Sequence, residues 1–306
     1  MPADARADRR KGEAMKRSQR GIFSFLMTVL AVVGAIFLIY IWQERFNKGN
    51  SKPTIICPTD RVSVSVESIS DSSILLRDVT AMDVEDGDIT DSIVVESVSQ
   101  FVGEGHCIIT YAAFDSNNNV SKLTRHLFLT DYVAPRFRIT SPLEFNYSSN
   151  FNPLSCVGAY DCIDGDISDR VKMSPVNPDD DVSSVGRHPV VIRVTNSLGD
   201  VSTFETEVEI YDRTYTESRM TPSIKLSDYI VYVDRYGAID PSAYVSGISL
   251  ANVLYEPGEY QAGTLEYDDS EVDYSTPGIY RIYYTCDNRE YDGTAALIVV
   301  VTEVQR

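Results

Sequence analysis

The block Asp83-Val84-Glu85-Asp86-Gly87-Asp88-Ile89-Thr90-Asp91 returns 78 residues later as Asp161-Cys162-Ile163-Asp164-Gly165-Asp166-Ile167-Ser168-Asp169. A chain that repeats at this distance folds as a row of similar units. Units of ~80 residues suit a β-sandwich, whereas solenoid repeats are smaller. After each block comes a Gly-led segment of alternating character: Gly105, Cys107, Ile109, Tyr111, Ala113, Asp115, then Gly186, His188, Val190, Ile192, Val194, Asn196. A third reads Gly278, Tyr280, Ile282, Tyr284, Cys286, Asp287, one residue shorter at its end. Period-two alternation marks strands with one buried and one wet face. The starts repeat too, since Pro53, Ile55 and Cys57 have the spacing of Pro135, Phe137 and Ile139, and of Pro222, Ile224 and Leu226. Each copy closes on another strand, near 127–129, 208–210 and 297–301. Outside one apolar stretch no long segment has helical periodicity, so the spacing predicts three tandem sandwiches at 53–131, 132–212 and, divergent, 213–306. The short connections between copies limit bending, with residues 213–221 the weak joint.

The first two copies resemble the bacterial immunoglobulin-like repeats carried in tandem by Gram-positive surface proteins and some pesticidal crystal proteins. The marks of that family are Ala-x-Asp-x-x-Asp-Gly-Asp-Ile-Thr, then a Gly-led Tyr-x-Ala-x-Asp strand. They match here through Ala81, Asp83, Asp86, Gly87, Asp88 and Ile89, then Val102-Gly103 or Gly105, Tyr111, Ala113 and Asp115. The third copy keeps Thr276-Pro277-Gly278-Ile279-Tyr280 and lacks the acidic block. The resemblance implies three tandem immunoglobulin-like β-sandwiches at a cell surface; it says little about a ligand.

Residues 21–42, GIFSFLMTVLAVVGAIFLIYIW, carry no charge, and 22 residues at ~1.5 Å each cross a hydrocarbon core of ~30 Å as a helix. Seven Lys/Arg lie in residues 1–20, a predicted cytoplasmic basic tail, so the positive-inside rule places the N-terminus in the cytoplasm and the C-terminal domains outside the plasma membrane. Residues 43–52 form a linker. A cleaved signal peptide shares the basic start, but its apolar core is usually ~7–15 residues and precedes a small-x-small site, which Gln43-Glu44-Arg45-Phe46 does not offer. Met1 and Met15 are both candidate starts.

Beyond the apolar stretch, 20 basic and 42 acidic residues leave a net charge of −22. Such a surface repels phosphate backbones, which argues against nucleic acid as a partner.

The acidic blocks carry the sharpest local chemistry. Asp83, Asp86, Asp88 and Asp91, and likewise Asp161, Asp164, Asp166 and Asp169, gather four carboxylates within nine residues, and Ca²⁺ wants several such oxygens. Calcium is thus the one cofactor the sequence suggests. The competing and favoured reading is a turn in which Asp side chains bind local N–H groups and Gly supplies φ > 0. Five cysteines leave at least one unpaired. Cys57 and Cys107 both have core-facing parity and, in an immunoglobulin-like sandwich, lie at one pole, so a Cys57–Cys107 bridge is open. A Cys156–Cys162 bridge needs a turn between them, since six extended residues span ~20 Å. Cys286 reads as a buried thiol. His106, His126 and His188 are predicted to sit in different or incompatible places, and no catalytic spacing emerges, so an enzyme is not expected.

The third copy holds thirteen of nineteen tyrosines. Most are expected to fill or border the sheet, while Tyr267, Tyr274 and Tyr291, in Asp-rich sequence, are candidates for a binding face. Two functions fit. One is a membrane-anchored surface protein for adhesion or ligand binding, with copies one and two as spacers and copy three presented to a protein or envelope polysaccharide. The other is a structural or assembly subunit of an envelope complex with no ligand of its own.

Overall fold

The computed structural model describes residues 24–43, 51–147, 152–288 and 291–303, so the predicted basic tail lies outside the described residues. One helix, α1 (Ser24–Gln43), is apolar, exposed along its length, and long enough to cross a membrane or to act as a signal sequence. The rest is mostly β-structure with two short helices, α2 (Ser72–Leu75) and α3 (Tyr215–Met220).

The first copy contributes β1 (Thr54–Ile56), β2 (Arg61–Val64), β3 (Thr80–Asp83), β4 (Gly87–Asp88), β5 (Val94–Val98), β6 (His106–Phe114) and β7 (Val120–Leu129). The second contributes β8 (Arg136–Ile139), β9 (Glu144–Asn146), β10 (Val157–Asp161), β11 (Gly165–Asp166), β12 (Lys172–Pro175), β13 (Gly186–Thr195) and β14 (Val201–Tyr211). The third contributes β15 (Ser223–Leu226), β16 (Ile230–Asp234), β17 (Val245–Leu250), β18 (Val253–Tyr255), β19 (Leu265–Asp268), β20 (Gly278–Cys286) and β21 (Gly293–Thr302).

Each copy makes one three-stranded and one four-stranded sheet, ordered β1-β3-β4 and β2-β7-β6-β5, β11-β10-β8 and β12-β13-β14-β9, and β15-β17-β18 and β16-β21-β20-β19. In every copy the chain enters through the smaller sheet, then crosses to the larger and pairs in parallel with its last strand. The registers are Arg61↔His126, Glu144↔Glu209 and Ile230↔Ile298. Pro53, Pro135 and Pro222 stand just before the opening strands β1, β8 and β15, where a residue without an N–H costs the ladder nothing.

Two compact units are formed. One comprises the chain up to Thr59 with Leu76–Glu96 and Thr110–Thr124; the other comprises Asp60–Leu75, Ser97–Ile109 and the chain from Arg125. The first buries Val79, Ala81, Ile93, Tyr111 and Ala113. In the second, β13 buries His188, Val190, Ile192 and Val194 and β20 buries Ile282, Tyr284 and Cys286, as alternation requires. The apolar residues of the second and third copies form one continuous cluster. Its cause is visible in β21, whose Ala295-Ala296-Leu297-Ile298-Val299-Val300-Val301 has no wet face. Leu297 and Val299 lie fully buried on one face of β21, while Ile298 and its partner Ile230, on the opposite face, are only 5% and 6% exposed. Tyr232, on that face, accepts the Phe137 N–H at 2.7 Å, and the Tyr229 N–H reaches the Ile139 carbonyl at 3.3 Å. The segment 213–221, expected as the weak joint, contains α3, capped by Thr214 with a reciprocal Glu217 bond to the Thr214 N–H at 2.8 Å.

Candidate functional site

The two acidic blocks are one turn built twice. Asp83 Oδ1 accepts the N–H groups of Glu85 and Asp86 at 2.9 and 3.1 Å, and Asp161 Oδ1 those of Ile163 and Asp164 at 2.9 and 3.0 Å. Asp86 takes the N–H and hydroxyl of Ser116 at 2.7 and 2.9 Å; Asp164 takes those of Ser197 at 2.6 and 2.7 Å, plus Arg170. Asp88 and Asp166 accept the N–H groups of Thr90 and Ser168, each at 3.0 Å. Gly87 and Gly165 sit at φ +77° and +75°, which explains why glycine stands there. Bonds from the Asp86 N–H and the Ser168 hydroxyl hold Asp83 and Asp166 below the usual carboxylate range; in Asp164, burial opposes the same shift and Ser197 and Arg170 outweigh it. Asp91 and Asp169 lie exposed in the 3-10 turns Thr90–Ser92 and Ser168–Arg170. Each quartet thus sends its carboxylates to separate partners. Among the described residues no group of three or more His, Cys, Asp or Glu side chains is arranged to hold a metal ion.

The second block has another duty. Asp161 Oδ2 accepts from Asn196 at 3.2 Å, Asn196 donates to the Tyr132 hydroxyl at 3.0 Å, and that hydroxyl donates to Asp200 at 2.5 Å. Burial, followed by the Asp200 bond, raises the Tyr132 hydroxyl far above its ordinary value. Tyr132, a linker residue by sequence, is therefore a buried plug.

All five cysteines are free thiols, so neither the Cys57–Cys107 nor the Cys156–Cys162 bridge is formed. The Cys57 thiol turns to its neighbour, the Thr59 carbonyl, at 3.0 Å. Between Cys156 and Cys162 runs the extended strand β10 rather than a turn, and the two thiols face the carbonyls of Pro153 and Val133. Burial pushes the Cys107 thiol up to about 11. Tyr267, on β19, is 48% exposed; Tyr274 packs on the core with its hydroxyl buried; Tyr291 is half-buried, its N–H on Asn288 at 2.9 Å. Of the three, Tyr267 alone is exposed. Contrary to expectation, His106 and His126 meet: Nε2 of one lies 2.9 Å from Nδ1 of the other.

A cleft of about 340 Å³ lies between the second and third copies. Glu144, Glu207, Glu209 and Arg187 line it from the second copy, Arg281 and Tyr283 from the third, over a floor of Leu143, Ala295 and Ile298. Parallel pairing of β9 with β14 sets Glu144 beside Glu209. Burial, and then the Glu209 charge, raise the Glu144 carboxyl above the usual carboxylate range, with Arg213, Arg187 and Lys225 offsetting part. Arg187 Nε reaches Glu209 at 3.4 Å, and Arg281 donates to the Glu205 carbonyl at 3.3 Å. Strong acceptors and two guanidinium donors therefore converge above an apolar floor, with the Tyr283 ring, 46% exposed, at the side. The signal was present in the sequence: Glu205, Glu207 and Glu209 alternate along one outward strand face.

No family model matches the sequence, and no curated protein matches it. Among solved structures, the CBM51-2 and INT domains of Clostridium perfringens ZmpB are 21% identical over 50% of this chain and 26% of that one, with a TM-score of 0.21. Drosophila N-cadherin EC1-3 is 11% identical over 81% of this chain and 99% of that one, TM-score 0.30. The Bacteroides thetaiotaomicron lipoprotein BT2262 is 13% identical over 54% and 98%, TM-score 0.21. The chain spans only 26% and 31% of the two ZmpB chains it matches.

Proposed function

We propose that this chain is a membrane-anchored, non-catalytic surface protein of three immunoglobulin-like modules, with α1 as anchor, the N-terminus cytoplasmic, and the module pair of copies two and three binding an envelope polysaccharide. The single observation that carries the binding assignment is the composition of the cleft. Carboxylates accept from sugar hydroxyls, guanidinium groups donate to sugar oxygens, and an exposed Tyr ring packs on the C–H face of a pyranose. A volume of about 340 Å³ lies within the ~300–1,000 Å³ range of small-ligand clefts. The first copy then serves as spacer, the second supplies Glu144, Glu207, Glu209 and Arg187, and the third supplies Arg281 and Tyr283 to the binding face.

Purified full-length protein in detergent, immobilised and exposed to envelope polysaccharide, tests this reading. Binding that falls at least ~10-fold in Arg281→Ala and in Glu207→Gln, with no new reducing ends released from the glycan, supports it; each variant removes a group worth about 1.5–3 kcal/mol in charge-assisted bonds. Equal binding by both variants and the parent removes the cleft from the argument. Stoichiometric membrane proteins that co-purify only when residues 1–50 are present, with no glycan bound, would favour the assembly role instead.

A further inference from the structure

We infer that the face of β6 and β7 carries a chelating site for a divalent copper ion, made by His106 Nε2 and His126 Nδ1. The two nitrogens lie 2.9 Å apart. In their hydrogen bond one nitrogen donates and the other offers its lone pair, so the two ring nitrogens face each other across one proton that a metal would displace. The His106 ring is held in plane by Phe128, at a centroid distance of 4.4 Å and an angle of 11°, which fixes the direction of Nε2. His126 is exposed, and solvent reaches the pair. Its ring is tilted 42° to that of His106, so a modest turn about Cβ–Cγ brings both lone pairs to one point.

The ligand type selects the ion. Cu²⁺ heads the divalent affinity order for imidazole and takes nitrogen ligands in a tetragonal plane, so it is the ion that two such nitrogens bind best. The pair supplies two equatorial nitrogens, and water completes the shell. Arg61, whose guanidinium lies 5.8 Å over the far-reaching Phe128 ring, is the nearby positive charge the ion must tolerate.

Metal-free full-length protein titrated with Cu²⁺ and followed by electron paramagnetic resonance tests the site. One equivalent is expected to give a tetragonal spectrum with splitting from two nitrogens, and His126→Asn is expected to weaken it at least ~10-fold, as is His106→Asn. Because His106 also stacks on Phe128, its variant is scored only if its melting temperature matches the parent; His126→Asn, at an exposed position, decides otherwise. A spectrum with one nitrogen or none, or Cu²⁺ affinity unchanged in His126→Asn, means binding to surface carboxylates only and overturns the assignment.

Discussion

Replacing His188 by Phe is expected to lower stability by about 3 kcal/mol near pH 6 and by less at alkaline pH. His188 is 4% exposed, and both ring nitrogens face acceptors: Nδ1 lies 2.9 Å from Asp180 Oδ1 and Nε2 lies 2.8 Å from the Ser184 carbonyl. Neither partner can donate to it, so both bonds exist only in the imidazolium form. Burial pulls the pKa down, but the Asp180 and Ser184 bonds and the Asp180 and Asp181 charges outweigh it, leaving the group above its ordinary value. Two bonds to a charged group contribute about 1.5–3 kcal/mol each, and the buried ring offsets part by desolvation, which leaves roughly 3 kcal/mol net. A folded-state pKa above the unfolded one stabilises the native state fully below ~6.5 and loses that contribution as pH rises through the folded value. Thermal unfolding of parent and variant from pH 5.5 to 9 reads this directly. The gap should be widest at pH 5.5–6 and narrow steadily above. A gap independent of pH, or an NMR titration placing the His188 midpoint at or below that of a free imidazole, refutes the reasoning.

Ile298→Ala is expected to cost about 2–4 kcal/mol, although the residue sits on the outward face of its strand, because that face is covered by the second copy; denaturant unfolding should show the loss, and proteolysis within 213–221 should accelerate. Tyr132→Phe strips partners from Asp200 and Asn196 and should cost about 1–2 kcal/mol by the same measurement. Asp164→Ala severs two bonds to Ser197 and should cost about 1–2 kcal/mol, while millimolar Ca²⁺ should leave the parent's melting temperature unchanged; a chelator-reversible rise would restore the metal reading of the acidic blocks.

Much of this architecture can be read from side-chain parity. Gly-led alternation located β6, β13 and β20, and the three prolines marked the opening edge strands, because both signals are local. What escaped was fixed by register and by packing between copies. His106 and His126 are 20 residues apart and meet only because β6 and β7 lie side by side in the sheet. Glu144 sits in a three-residue strand too short to show a period, and only its parallel pairing brings it to Glu209. Between Cys156 and Cys162, which the sequence leaves open as a bridge, β10 runs extended, and Tyr132 reads as linker because its bonds are to residues 64 and 68 positions later. One long-range feature was legible: the uninterrupted apolar run in β21, where alternation breaks, announces a strand covered on both sides.

The parallel closure of each copy has a mechanical consequence. Because β9 and β14 run in the same direction, a pull applied through the ends of the second copy loads their bonds in shear, so they resist together instead of opening one by one. That clamp holds three residue pairs in the second copy, four in the first and five in the third. Under tension the second copy is the one that should yield first, and the third should hold longest.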